Sequence, residues 1–158
     1  RQLDPSMSDW IYRQYADVDT GKMTPGAGLM STADLPLSDK RPGEKRYAYL
    51  AVRVTLSKSI ESAFSVDSIG SDPRAGACDP DTCSLKIRFG SAQPQLFLAR
   101  EDPRGSHTYV LKDSRTFLEI VAKHSGPIEV QYQDLNKRTL RFQFMAAKPL
   151  QPSRLPTR

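Results

Sequence analysis

Apolar and polar residues alternate along most of this chain with a period of two, which is the signature of strands half buried in a sheet. The cleanest case is Tyr47–Leu56, where Leu50, Val52, Val54 and Leu56 share one face and Ala51, Arg53 and Thr55 the other. Cys83, Leu85, Ile87 and Phe89 alternate in the same way with Ser84, Lys86 and Arg88. So do Ile128, Val130 and Tyr132, and then Leu140, Phe142 and Phe144, with Asp134–Lys137 predicted as the hairpin turn between the two runs. Asp9–Tyr15 is rich in aromatic and β-branched side chains and predicts a first strand. Phe64–Ile69, Gln95–Arg100 and Thr108–Leu111 predict shorter ones.

Other segments break the alternation. Asp17–Gly28 holds three Gly and a Pro and predicts a loop, followed by a weaker strand over Leu29–Leu35 and a polar loop over Pro36–Glu44. One stretch changes period: Phe117, Ile120, Val121 and His124 fall on one stripe of a helix over about 114–124, with Asp113 as its N-cap and Gly126-Pro127 as its stop. Residues 1–8 are polar and predict a flexible N-terminus. The stretch from Lys148 to Arg158 holds three Pro without periodicity and predicts an extended or disordered tail. The expectation is a mostly-β (α+β) fold, with one β-rich domain over 9–147. It is an antiparallel sandwich or curved sheet of about eight strands with a single helix in its C-terminal half.

Composition refines this picture. At 158 residues the chain can bury a core without metal or many disulfides. It has no apolar run of membrane-spanning length. It starts at Arg1 on polar residues, which reads as a mature form lacking its export signal, a trimmed lipoprotein being the variant of that reading. Charge is uneven: every acid lies at or before Asp134, and Lys137, Arg138, Arg141, Lys148, Arg154 and Arg158 follow it. The basicity therefore belongs to one terminal stretch. Lys137, Arg138, Arg141, Lys148 and Arg154 are the candidate contacts for an anionic partner: another envelope protein, an anionic lipid or a cell-wall surface. Nucleic acid is disfavoured, since no aromatic platform alternates with these charges.

Cys78 and Cys83 close a six-residue loop, and its Asp-Pro and Asp-x-Thr turn formers help bring the two Cβ atoms together. A disulfide is the favoured reading, worth about 2 kcal/mol by chain-entropy arithmetic. Two free thiols in a reduced cell are the alternative. Structural zinc needs four ligands, and His107 and His124 are too scattered to complete a site. A thioredoxin-type centre needs two intervening residues, and this pair has four. Asp79 and Asp81 lack the third acid of a calcium loop and read as a solvated turn. No metal or cofactor is expected.

Catalytic signals are thin. Ser106-His107 with Asp102 invites a triad, but strand neighbours point to opposite faces. Glu101-Asp102 could serve as acid and base, yet they adjoin Pro103 in a polar loop. His124 at the end of the helical stripe reads as a dipole-favoured cap. Gly26-x-Gly28 is too short for a phosphate loop.

Several pieces recur in a known order: Trp10-Ile11-Tyr12 with Asp17, then Cys83-Ser84-Leu85-Lys86-Ile87-Arg88-Phe89. Asp113-Ser114-Arg115-Thr116-Phe117-Leu118, Ile128-Glu129-Val130 and Leu140-Arg141-Phe142 complete the set. Over roughly residues 9–144 the chain resembles a loose group of uncharacterised exported proteobacterial proteins in which a Cys pair leads into a Cys-Ser-Leu-Lys-Ile-Arg-Phe-type strand. Where that group carries a Gly or acidic turn after Arg-Phe, this chain has Gly90-Ser91. The resemblance implies an exported, disulfide-bearing β domain and no particular activity. It marks Trp10, Cys78, Cys83, Arg88 and Phe117 as structural, with Arg88 expected to pair with a carboxylate near the helix.

The functional expectation is a non-enzymatic periplasmic or cell-surface binding or accessory protein, a component or inhibitor in a secretion, conjugation or immunity system. Two readings stay open beside it. An envelope hydrolase or carbohydrate-active enzyme would gather Glu101, Asp102, Ser106 and His107 in a cleft. A nucleic-acid-binding module would keep its cysteines reduced.

Overall fold

The computed structural model describes residues 9–17, 20–32, 45–69, 74, 76–79, 81, 83–102 and 107–155. Among these residues nine strands appear in chain order: β1 (Ile11–Ala16), β2 (Met23–Met30), β3 (Lys45–Val54), β4 (Ile60–Ile69), β5 (Ser84–Phe89), β6 (Gln95–Glu101), β7 (Thr108–Leu111), β8 (Gly126–Gln133) and β9 (Thr139–Ala146). A helix, α1 (Ser114–Val121), lies between β7 and β8. The strands form one antiparallel sheet in the order β1-β2-β3-β4-β7-β6-β5-β8-β9, so the mostly-β curved sheet with one helix is the architecture found.

The alternation read from the sequence becomes the two faces of this sheet. Leu50, Val52 and Val54 of β3, Leu85, Ile87 and Phe89 of β5, and Leu140, Phe142 and Phe144 of β9 all point into one core. Phe64 packs edge-on to Tyr132 with ring centroids 5.4 Å apart, and Tyr132 stacks on Phe142. The sheet curls tightly enough that the amide of Thr32, just past β2, donates to the Gln143 carbonyl of β9 at 2.8 Å. α1 contributes Phe117, which meets Phe89 and Phe97 at 6.0 Å each. Asp113 caps the helix by accepting from the Thr116 amide at 3.1 Å, as its position predicts.

The structure departs from the sequence reading in several places. Residues 23–28 are strand, not loop. Gly26 and Gly28, which look like turn formers, instead make room for the Tyr15 ring. β4 begins at Ile60, four residues before the predicted start. The helix ends at Val121, and His124 lies outside it, donating from Nε2 to the Pro127 carbonyl at 2.9 Å and packing against Phe89. His124 therefore braces the turn into β8 and does not cap the helix.

The stretch after Ala147 also differs from the predicted disordered tail. Leu150 and Leu155 are buried, a short 3-10 turn spans Pro152–Arg154, and the Leu150 amide donates to the Val121 carbonyl. The periodicity was absent because two isolated leucines, not a repeating face, hold this segment down. Residues 1–8, where a flexible terminus is expected, lie outside the described residues.

Candidate functional site

A concavity lies on the outward face of β1–β4. Register sets it up. Tyr15 of β1 opposes Thr24 of β2, so its ring leans diagonally over Gly26. A Cβ on Gly26 would sit 2.5 and 2.6 Å from Tyr15 ring carbons, and one on Gly28 would sit 3.0 Å from the Tyr15 hydroxyl. Gly26 in turn opposes Arg53 of β3, and Arg53 opposes Glu61 of β4. Four adjacent strands thus present one row: an aromatic ring, a glycine floor, a guanidinium and a carboxylate.

Arg53 donates from Nε to Glu61 Oε1 at 2.9 Å, and its terminal nitrogen approaches Asp102 Oδ2 at 3.5 Å. Asp102 stands just past the end of β6 and is 8% exposed. The resulting cleft holds about 360 Å³ and also takes in Asp17, Thr24, Thr55 and Ser57. Burial raises the pKa of the Tyr15 phenol, against the opposing pull of Arg13 and Arg53, so this wall is a neutral hydroxyl. The hydroxyls of Thr55, Ser57 and Ser59 bond one another around the β3–β4 turn. The described lining contains no histidine.

Of the four residues the hydrolase reading gathers, Asp102 alone lines this cleft among the described residues. Glu101 sits in the ladder opposite Tyr109. His107 starts the return into β7 with a left-handed φ of 54°, its carbonyl accepting from the Val66 amide. Ser106 lies outside the described residues. Tyr15, Arg53 and Glu61 went unselected in the sequence. Their signal was the Gly26-x-Gly28 spacing, which marks a strand passing under a ring once it is not mistaken for a loop.

Cys78 and Cys83 form the expected disulfide, with Cα atoms 5.5 Å apart and both residues buried. It closes the approach to β5 and is stitched to the core. The Cys78 amide donates to the Tyr109 hydroxyl at 2.9 Å, and the Tyr132 hydroxyl donates to the Gly76 carbonyl. Buried Asp134 accepts from the amides of Gly76, Asn136 and Arg138. The acidic turn behaves as an Asx turn, the Asp81 amide donating to Asp79 Oδ1 at 2.9 Å.

The five basic candidates do not form one stripe. Lys137 occupies the β8–β9 turn with φ of 64°. Arg138 is drawn inward onto Asp134 at 3.1 Å. Arg141 lies exposed on the outward face of β9 and donates to Gln131 Oε1. Lys148 follows the far end of β9, and Arg154 sits 3.7 Å above the Tyr12 ring, a cation–π contact that fastens the C-terminal segment to β1. Arg88 pairs across the ladder with Glu129 at 3.5 Å, a strand neighbour and not a carboxylate of the helix.

Among the described residues no helix is long and apolar enough to cross a membrane. Compared with protein families, curated proteins and solved structures, the chain matches none.

Proposed function

We propose that this chain is a non-enzymatic binding or accessory protein of an oxidising bacterial compartment, the periplasm or cell surface, working as a component or inhibitor in an envelope system such as secretion, conjugation or immunity. The buried Cys78–Cys83 disulfide carries this reading, because such bonds persist outside the reducing cytosol. The resemblance of its strand-and-cysteine order to exported proteobacterial proteins supports the same compartment. The test is intact mass of protein isolated from its native host, with and without reductant. A gain of about 2 Da on reduction is expected for one disulfide, with the protein recovered in the envelope fraction. Two freely alkylated thiols, or recovery in the cytosol, would overturn it.

The cleft favours one second reading, an envelope carbohydrate-active enzyme, since Glu61 and Asp102 both face its interior. Arg53 ties these carboxylates together, which weighs toward a structural or binding role. Turnover of a cell-wall glycan by the wild type, abolished in Glu61→Gln, would establish the enzyme instead.

A further inference from the structure

The outward face of β5, β6, β8 and β9 carries a different message from the cleft. Along β6, Phe97 and Ala99 point into the core, so Leu96, Leu98 and Arg100 point out. Leu96 is 61% exposed and Leu98 49%, and they are successive residues on one face of one strand. The remaining large apolar side chains exposed among the described residues, Ile11, Met23 and Leu56, belong to other strands or to a turn.

Cross-strand register builds a row outward from the leucines. Leu96 opposes Lys86, Lys86 opposes Gln131, and Gln131 opposes Arg141. On the same face Arg88 stands beyond Lys86, and Arg100 continues β6. The outward strand positions among the described residues therefore present Lys86, Arg88, Arg100 and Arg141 against one strand carboxylate, Glu129, which pairs with Arg88. Lys112 adds a cation beside the leucines, where Asp113 also lies.

We infer that this face rests reversibly on an anionic lipid surface, Leu96 and Leu98 entering the headgroup boundary and Lys86, Arg88, Arg100 and Arg141 lying at phosphate level. The inference rests on the exported reading, which places the chain beside a membrane, and it names what this surface meets there. Two features favour lipid over an acidic protein. A protein interface is organised around a packed apolar centre with aromatic anchors, and among the described residues this face exposes only two large apolar side chains, both leucines. The cations are spread over three strands instead of converging on one point, which suits charge delocalised over many headgroups. Exposed leucines beside cations supply the two ingredients of interfacial binding, apolar insertion and electrostatic attraction. Arg141, selected from the sequence as an anionic-partner contact, belongs here; its neighbours on this face come from β5 and β6 and not from the chain terminus.

The test is co-sedimentation of the oxidised full chain with vesicles of phosphatidylethanolamine and phosphatidylglycerol, against vesicles of phosphatidylcholine. Binding to the anionic vesicles is expected, at least about tenfold stronger than to neutral ones and lost between about 0.1 and 0.5 M sodium chloride. Leu96→Gln/Leu98→Gln and Lys86→Glu/Arg141→Glu should each weaken it by about tenfold or more without lowering the melting temperature, since all four side chains are exposed on the sheet. Lys22→Glu, before β2, should leave it within about twofold. No affinity of the wild type for the anionic vesicles would overturn the inference and give the face to an acidic protein. Unchanged binding by either double variant would overturn it too, as would an equal loss in Lys22→Glu. A failure here with the disulfide intact leaves the exported reading standing; free thiols overturn that reading separately.

Discussion

The backbone amide of Cys78 donates to the phenolic oxygen of Tyr109 at 2.9 Å, so a core side chain from β7 fixes one end of the disulfide loop. Both partners are buried. Tyr109→Phe keeps the ring and removes the acceptor, leaving a buried N–H unpaired. The expected loss is about 1–3 kcal/mol in urea unfolding of the oxidised protein. Cys78→Ser/Cys83→Ser should cost about 2 kcal/mol on its own. Because both changes loosen the same loop, the combined variant should lose less than the two losses added together. Strict additivity would show that the tyrosine and the disulfide act on separate parts of the structure.

The same tyrosine makes stability depend on alkaline pH. Burial is the main cause that pushes its pKa from 10.0 up to about 12; Glu101 adds to the shift and the Cys78 amide opposes it. The native state then holds the proton more tightly than the unfolded chain. The resulting stability is fully present below pH 10 and is lost as pH climbs toward 12. Phenolate absorbance followed together with circular dichroism should show ionisation of this group coinciding with unfolding in that window. In Tyr109→Phe the alkaline limb of the stability profile should become shallower; an identical limb would assign the effect to other tyrosines.

Much of the sheet was legible because alternation survives wherever one face is buried, as in Leu85-Ile87-Phe89 and Leu140-Phe142-Phe144. The failures share a physical cause. In β2 the positions facing Tyr15 are glycines, so the alternation had no side chain to show on that face. In the cleft, Tyr15, Arg53 and Glu61 are far apart in sequence and meet through register across four strands. No local spacing encodes a row of that kind. The disulfide was readable because its turn chemistry is local.

The β2 glycines make a sharp prediction. Gly26→Ala places a methyl group against the Tyr15 ring and 3.1 Å from Arg53 Cβ. The ring must swing off the strand, at an expected cost of about 1–3 kcal/mol from overpacking. Tyr15→Ser removes the obstructing ring, so the double variant should cost clearly less than the two single losses together. Thermal melts of the four proteins check this. A Gly26→Ala protein as stable as wild type would mean that the ring moves aside freely and does not form the wall of the cleft.

The C-terminal segment separates a packed element from a floppy one. Leu150 and Leu155 are 1% and 3% exposed, the Gln151 amide donates to the Tyr12 hydroxyl at 2.8 Å, and Arg154 covers the Tyr12 ring. Burying a leucine contributes about 1.5–3 kcal/mol, so ending the chain after Ala147 should remove several kcal/mol and uncover the Tyr12 side chain of β1. The melting temperature should fall steeply. Leu150→Ala should reproduce part of the loss, about 2–5 kcal/mol for a buried leucine that leaves a cavity. Arg154→Ala, which removes a surface cation over a ring, should cost about 0.5–1 kcal/mol. A truncated protein that melts like the full chain would show that these leucines bury nothing of consequence. A large loss would mean that partner-binding experiments on this region need point substitutions such as Lys148→Glu, because deletion would damage the fold as well as remove the charge.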